Sequence, residues 1–279
     1  MRQGFEDDDL DTLDNPVAGD AGPPTPEWTG GVAAGNLCGR LYAATDVGRS
    51  REQNEDFYLV DAALSLIVVA DGMGGHERGE VASRMAATGI AEQLRGHGGA
   101  PLDPGAAEDR VVQAVRAVNR QIYVRNMARG YEAGRGMGTT VVGLWCYGGH
   151  DAVAFHVGDS RLYHYRRDAL HAGTTDHTLY ESWKASGKQG DPPKRNILMR
   201  AVGVFEEVEV ETARCRLEAG DVTLLCSDGL TRMLNDNAIH RAVTEIAARG
   251  PEAVGRDLLR TANERGGRDN ITLAVALWE

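Results

Sequence analysis

LSLIVVADG, residues 64–72, is an apolar run of strand length that ends in an aspartate and a glycine. VTLLCSDG, residues 222–229, repeats this pattern, and AVAFHVGDSR, residues 152–161, varies it. Short apolar runs bounded by turn residues predict buried strands. In the third run the odd-numbered residues from 153 to 157 are all apolar, which indicates an antiparallel strand with one buried face.

Similar short runs, separated by helical segments, continue along the chain. Helical periodicity predicts helices over Glu80–Leu94, Glu108–Met127, Asp236–Ala248 and Pro251–Arg265. Strands and helices do not alternate strictly, which argues against a doubly wound parallel sheet. We therefore predict an α+β fold in which antiparallel sheets are covered by helices. The predicted strands are Leu41–Thr45, Phe57–Val60, Leu64–Ala70, Thr139–Cys146, Ala152–Val157, Arg161–Tyr165, Val208–Cys215, Asp221–Cys226 and Ile271–Trp278.

The distribution of charge separates an acidic tail from a nearly neutral domain. The 279 residues carry a net charge of −11, of which residues 1–36 contribute −7, so the remainder carries −4. Residues 1–36 are rich in Asp, Gly and Pro, so we predict a disordered tail followed by one folded domain over 37–279. Within that domain, residues 174–203 are polar, with two prolines and a Lys/Arg cluster, and we predict a mobile flap beside a site.

Composition also excludes several classes of protein. A domain this close to neutral has no electrostatic footprint for nucleic acid. No run approaches the roughly 20 apolar residues that a membrane span needs. The four cysteines are scattered without a CxxC pair, which indicates a reduced, cytoplasmic protein.

Acidic residues recur where the predicted strands begin or end. A single Asp-Gly pair after a strand is usually a hairpin turn. Strand ends of a sandwich share a rim, however, and several carboxylates there would repel one another unless cations lay between them. Hard divalent ions, which take oxygen ligands, suit such a site, and no His/Cys set has zinc spacing. The acidic residues are Glu55, Asp56, Asp71, Asp159, Asp228 and Asp269.

Arg51 lies just before the first of these acids. Carboxylate sites that hold two ions roughly 3.5–4 Å apart recur in the hydrolysis of phosphoesters. The phosphate also needs a cation from the protein, and a guanidinium can bind two phosphate oxygens in a fork. Arg51 is therefore a candidate phosphate ligand, and the alternative is an ordinary surface arginine.

At these residues the sequence resembles the bacterial branch of the metal-dependent type 2C protein phosphatases. The matching stretches occur in the order found in that family, and the ordered set is far more specific than any one motif. They are Thr45–Asp56, Val69–His76, Gly136–Thr140, His156–Arg161, Thr175–His177, Arg200–Gly203, Ser227–Leu230 and Asp269–Thr272.

The resemblance implies a four-layer α-β-β-α sandwich and a role for each acid. Asp71 would bridge two ions, and Asp228 and Asp269 would complete the shell of the first. The carbonyl of Gly72 would bind the second ion, with Glu55 and Asp56 acting directly or through water. Asp159 and Asp228 would hold a third, weaker ion, so the expected cofactors are two or three Mn²⁺ or Mg²⁺ ions per chain. Arg51 would bind the phosphate of the substrate.

The chain departs from animal members of that family at the proton donor. Those members carry a histidine two residues after the bridging aspartate, and here that residue is Met73. Methionine cannot donate a proton, so a metal-bound water or His76 would serve as general acid. A purely structural role for His76 is the alternative.

The implied function is hydrolysis of phosphoserine and phosphothreonine in proteins by a metal-activated water, in opposition to a serine/threonine kinase. The expected partners are phosphoprotein substrates and a cognate kinase, and the expected state is a monomer. One alternative is a pseudophosphatase scaffold, although the full set of acids argues against it. The other is a phosphohydrolase of small molecules. The pathway, general kinase signalling or control of a secretion system, stays open.

Overall fold

The computed structural model describes residues 27–74, 78–95 and 102–279. Within them, two antiparallel sheets pack face to face. The first sheet contains, in spatial order, β1 (Glu27–Ala34), β2 (Leu37–Asp46), β12 (Ile271–Trp278), β11 (Val222–Cys226), β8 (Arg161–Arg166) and β9 (Ala169–Ala172). The second contains β10 (Glu211–Arg216), β7 (Asp151–Val157), β6 (Val141–Gly148), β4 (Leu66–Met73) and β3 (Asp56–Asp61), with the short β5 (Gly138–Thr139) paired to the end of β4.

Helices cover the outer face of each sheet. The second sheet is covered by α1 (Gly79–Arg95) and α2 (Pro104–Ala128). The first is covered by α4 (Asp228–Met233), α5 (Asp236–Thr244) and α6 (Ile246–Glu264), and α3 (Leu179–Ala185) lies in the predicted flap. The predicted α+β fold of two antiparallel sheets flanked by helices is confirmed. None of the helices in the described part of the chain is both long and apolar enough to cross a bilayer.

Alternation along the central strands explains why their sequences are apolar almost throughout. In β4, Leu66, Val68 and Ala70 pack under α1 and α2, whereas Ile67 and Val69 point into the layer between the sheets. The strand β12 divides its residues between the inter-sheet layer and the layer under α6 in the same way. Because both faces are buried, these antiparallel strands lack the polar alternation of a half-exposed strand.

The amino-terminal boundary predicted for the domain is wrong by ten residues. Residues 27–36, assigned to the tail from their composition, form β1 and the turn to β2. The strand pairs with β2 along its whole length and buries Val32 and Ala34. Backbone pairing and two small apolar residues supply order that composition did not indicate. Residues 1–26 lie outside the described residues, so disorder there stays a prediction.

Other boundaries differ where a local feature outweighs periodicity. Strand β4 continues through Asp71 and Gly72 to Met73, so this pair is not a hairpin turn. The segment predicted as Asp236–Ala248 is divided by a turn at Glu245, and α6 is interrupted at Gly250, where φ is 80°, immediately before Pro251, where the sequence predicts the last helix to begin. Strand β10 begins at Glu211, three residues later than predicted.

The predicted flap, residues 174–203, is anchored to the sandwich at both ends. Near its start, the backbone N–H of His177 donates to the carbonyl of Gly158 at 2.9 Å. Near its end, Val202 forms a bridge with Thr139, and within the flap Thr178 pairs with Leu198. These contacts hold the flap beside the rim where β7 ends.

Candidate active site

The predicted acids meet at one end of the sandwich. Asp56 and Asp71 are direct partners on β3 and β4, and Asp228 begins α4 immediately after β11. Asp159 follows β7, and Asp269 precedes β12. A cavity of about 330 Å³ lies between them, and Asp56 is buried beside it, only 4% exposed. The cavity is lined by Arg51, Glu55, Asp71, Gly72, Met73, Gly74, Thr140, Asp159, Asn196, Leu198, Asp228, Arg232, Asp269 and Asn270.

The clustering raises the pKa values of the carboxyl groups. Burial, followed by the charges of Asp56 and Asp228, raises the pKa of Asp71 well above its ordinary value. Burial and the neighbouring Asp159 do the same for the pKa of Asp228. Burial raises the pKa of Asp56 to about 6, and burial together with Asp176 raises that of Asp159 to about 6. Each shift reflects negative charge that the protein alone does not compensate.

Two buried carboxylate oxygens lack a hydrogen-bond donor among the described residues. They are Oε1 of Glu55 and Oδ1 of Asp228, and both residues line the cavity. A buried acceptor without a partner costs free energy unless a cation or water satisfies it. Oxygen ligands from carboxylates are what Mg²⁺ and Mn²⁺ prefer, so the donor set fits divalent ions of this type.

Three residues that were not assigned roles from the sequence hold the loops of the site together. The side chain of Asn270 accepts from the backbone N–H of Glu55 at 2.9 Å and donates to the carbonyls of Val47 and Gln53, each at 2.9 Å. Ser227 Oγ donates to Asp56 Oδ2 at 2.7 Å. Their side chains thus tie the loop before β3 to β11 and β12. Asn270 and Ser227 flank Asp269 and Asp228 in the sequence, which is the signal that could have pointed to them.

The third is Thr140, which fixes the backbone of Asp71 together with Thr139. Thr140 Oγ1 accepts from the N–H of Asp71 at 3.1 Å, and Thr139 Oγ1 donates to the carbonyl of Asp71 at 2.9 Å. Thr140 Oγ1 also lies 2.7 Å from Ser160 Oγ, next to Asp159. Thr140 therefore connects the backbone of Asp71 to Ser160, the residue that follows Asp159.

Two arginines approach the cluster from its rim. Arg51, as predicted, faces the cavity, and its guanidinium contacts both oxygens of Asp269, with Nε 2.9 Å from Oδ1 and Nη2 3.1 Å from Oδ2. Arg232 pairs with Asp228, and its Nη1 lies 2.9 Å from Asp269 Oδ2. Arg232 was missed from the sequence because only the helical turn of α4 brings it back over Asp228. His76, the predicted general acid, lies outside the described residues.

A second group of possible metal ligands, His156, His177 and Glu211, lies beside the flap. The N–H of Gly158 donates to Nδ1 of His177 at 3.1 Å, as a neutral ring allows, and Nε2 lies 3.1 Å from both Glu211 Oε2 and Arg200 Nη1. Burial lowers the pKa of His177, which favours this neutral form. His156 Nε2 is 2.9 Å from the carbonyl of Thr175. These hydrogen bonds satisfy the rings without an ion, so we interpret the group as an anchor of the flap.

The raised pKa values predict how stability depends on pH without metal. An aspartate whose pKa is higher in the folded chain holds its proton more tightly there, so folding is favoured at low pH and loses free energy as pH rises from about 4 through the folded-state pKa. For Asp56 and Asp159 that pKa is about 6, and the pKa values of Asp71 and Asp228 are raised in the same direction. We expect the melting temperature in EDTA to fall between pH 5.5 and pH 8.

Manganese should reverse this loss of stability at high pH, because a divalent ion binds the carboxyl groups of the cluster in their ionised form. At a hundredfold excess over Kd the ion would add about 2.7 kcal/mol of stability. Thermal unfolding with EDTA and with Mn²⁺, at both pH values, measures the effect. A manganese effect as large at pH 5.5 as at pH 8 would contradict the assignment.

Together, the sandwich, its acidic rim and the facing arginine define a hydrolase of phosphoesters that uses divalent ions. Comparison with known proteins leads to a family. The model of the family "Protein phosphatase 2C" matches residues 48–262. Serine/threonine phosphatase stp of Listeria innocua is 35% identical over 240 residues, covering 83% of this chain and 92% of the relative. The chain belongs to the protein phosphatase 2C family and is a serine/threonine protein phosphatase.

Solved structures agree in fold over nearly the whole chain. The catalytic domain of the serine/threonine protein phosphatase PstP, in complex with two manganese ions, is 32% identical with a TM-score of 0.75, covering 87% of this chain and 99% of that one. PppA, described as a key regulatory component of the type VI secretion system in Pseudomonas aeruginosa, is 32% identical with a TM-score of 0.74, covering 90% of this chain and 100% of that one.

Proposed function

We propose that Asp71, Asp228 and Asp269 hold one Mn²⁺ or Mg²⁺ ion, and that Asp71 also contacts a second ion bound by the carbonyl of Gly72. Glu55 supports this second position directly or through water. The observation that carries the assignment is a pair of buried oxygens, on Glu55 and Asp228, that lack a hydrogen-bond partner within 27–74, 78–95 and 102–279 and belong to one cavity of carboxylates. When bound, such ions polarise the phosphate and lower the pKa of the attacking water.

The protein's own residues orient the substrate and keep the acids in place. Arg51 is half exposed at the mouth of the cavity, so its guanidinium can leave Asp269 in part and bind two oxygens of a phosphate. Asp56 is buried and accepts a hydrogen bond from Ser227, which fixes its carboxylate next to its strand partner Asp71. Asn196 and Leu198 of the flap form the wall over the cavity, where the peptide around the phosphorylated residue would lie. A proton-donor role for His76 stays a prediction.

We further propose that the substrates are phosphoproteins of a cognate serine/threonine kinase, and that the enzyme acts in the cytoplasm as a monomer. The four cysteines are unpaired thiols, which suits a reducing compartment. Similarity to PppA makes a kinase of a secretion system one setting to test. A phosphoproteome comparison with and without the gene should show rising phosphoserine and phosphothreonine on a small set of proteins. No change in any phosphosite would contradict this role.

Replacing Arg51 by lysine tests the proposed phosphate contact. Lysine keeps the positive charge but loses the two-pronged geometry, so kcat/KM for a phosphothreonine peptide in Mn²⁺ should fall roughly 10²-fold or more. The matched control is Arg49→Lys, since Arg49 is exposed and does not line the cavity. Equal kcat/KM for Arg51→Lys and wild type would exclude the contact. Preference for nucleotides or sugar phosphates over phosphopeptides would instead favour a small-molecule phosphohydrolase.

A further inference from the structure

Arg232 occupies the rim between the acids assigned to the first ion and those that could hold a third. It lies one helical turn after Asp228 on α4, and its guanidinium folds back over the start of that helix. There it contacts Oδ2 of Asp228 and, at 2.9 Å, Oδ2 of Asp269. Its side chain is 38% exposed, so the charge sits at the border of the cavity and is only partly screened by solvent.

The contact with Arg232 engages only one of the two oxygens of Asp228. Oδ2 is bound by the guanidinium, and Oδ1 is buried with no hydrogen-bond partner in the described part of the chain. An ion between Asp159 and Asp228 that used Oδ2 would have to displace the guanidinium of Arg232, whereas the ion shared with Asp71 can bind Asp228 through Oδ1.

A second cavity, which shares Asp159 and Arg232 with the first, also contains arginine charge. Its volume is about 510 Å³, and Asp159, Asp176, Arg161 and Arg232 all line it. Arg161 binds Asp176 through two hydrogen bonds of 2.7 Å. Arg195 and Arg268 line this cavity as well, so its two carboxylates, Asp159 and Asp176, face four guanidinium groups. A divalent ion placed there would lie beside like charge.

We propose that Arg232 takes the charge-balancing place of a third divalent ion between Asp159 and Asp228, so that this protein binds two ions tightly and gains a third site only when Arg232 is removed. The inference rests on the proposed function, because it presupposes the two ions at Asp71. Arg232 is thus a positioning residue for Asp228 and Asp269, and it limits the number of metal ions that the protein binds.

Calorimetric titration of Mn²⁺ into the metal-free protein, with bound metal counted after equilibrium dialysis, tests the proposal. Wild type should bind two ions per chain, with no further event into the millimolar range. Arg232→Gln should add a third, weaker event, and Arg232→Gln combined with Asp159→Asn should lose that event and keep the first two. Arg241→Gln, on the exposed side of α5, is the matched control and should behave as wild type.

Two results would overturn the role of Arg232 while leaving the proposed function intact. One is a third ion on wild type, and the other is an unchanged count of two on folded Arg232→Gln. Circular dichroism establishes that each variant is folded before titration. The absence of manganese binding by wild type would instead contradict the proposed function itself, and the inference would fall with it.

Discussion

Asp71→Asn is expected to reduce hydrolysis of p-nitrophenyl phosphate in Mn²⁺ by roughly 10³-fold or more. Asparagine has nearly the same volume, and the backbone bonds from Asp71 to Thr139 and Thr140 do not depend on its side chain. The change therefore removes one negative charge from the centre of the cluster, where Asp56 and Asp228 both face it. Initial rates across a manganese titration measure the loss.

Stability separates a loss of chemistry from a loss of fold in this variant. Without metal, removing one of several buried like charges should leave the protein at least as stable as wild type at pH 8. The matched control is Asp151→Asn, at the opposite end of β7, where the side chain is 43% exposed and pairs with Arg216. That variant should keep full activity. More than a tenth of wild-type turnover from Asp71→Asn at any manganese concentration would contradict a bridging role.

Gly72→Ala is expected to have the largest effect on the folded site. A Cβ at residue 72 would lie 2.4 Å from the carbonyl oxygen of Glu55 and 2.3 Å from that of Gly79. Both are backbone atoms, so relief requires either the start of α1 or the segment of Glu55 and Asp56, where β3 begins, to move. We expect a loss of about 3 kcal/mol or more in the free energy of unfolding, together with loss of activity in Mn²⁺.

Gly148→Ala provides the control, because a Cβ at the end of β6 meets no atom within 4 Å. Its stability should change by less than about 0.5 kcal/mol, with activity unchanged. Urea unfolding followed by circular dichroism, in EDTA and in Mn²⁺, measures both variants. A Gly72→Ala protein that unfolds at the same urea concentration as wild type would show that the close approach is not a constraint on the fold.

Much of the fold could be predicted because two independent features of the sequence indicate it. The apolar periodicity predicts the strands and helices, and the order of the motifs matches that of a known family. The runs that became β4, β11 and β12 are apolar on both faces, as strands in the middle of a covered sandwich must be. The sequence was less informative about β1, whose order comes from pairing with β2, and about the turn at Glu245 that separates α5 from α6. The pairing of β1 depends on a contact between segments that its own composition does not reveal.

The acids of the site could be predicted because each stands at a strand end, and strand ends of a sandwich meet. The residues that hold those acids were harder to find. Asn270, Ser227 and Thr140 act through hydrogen bonds across the fold, and a polar residue beside an acid gives no sign of its distant partner. The position of Arg232 beside Asp228 depends on the turn of α4, a six-residue helix that the sequence did not predict.

Anomalous scattering at the manganese edge, from crystals grown with Mn²⁺, tests the assignment of the metal centre most directly. Two strong peaks should appear in the cavity, both beside the carboxylate of Asp71 and roughly 3.5–4 Å apart, one of them also beside Asp228 and Asp269. An empty cavity at Asp71, or peaks only at His156, His177 and Glu211, would contradict it.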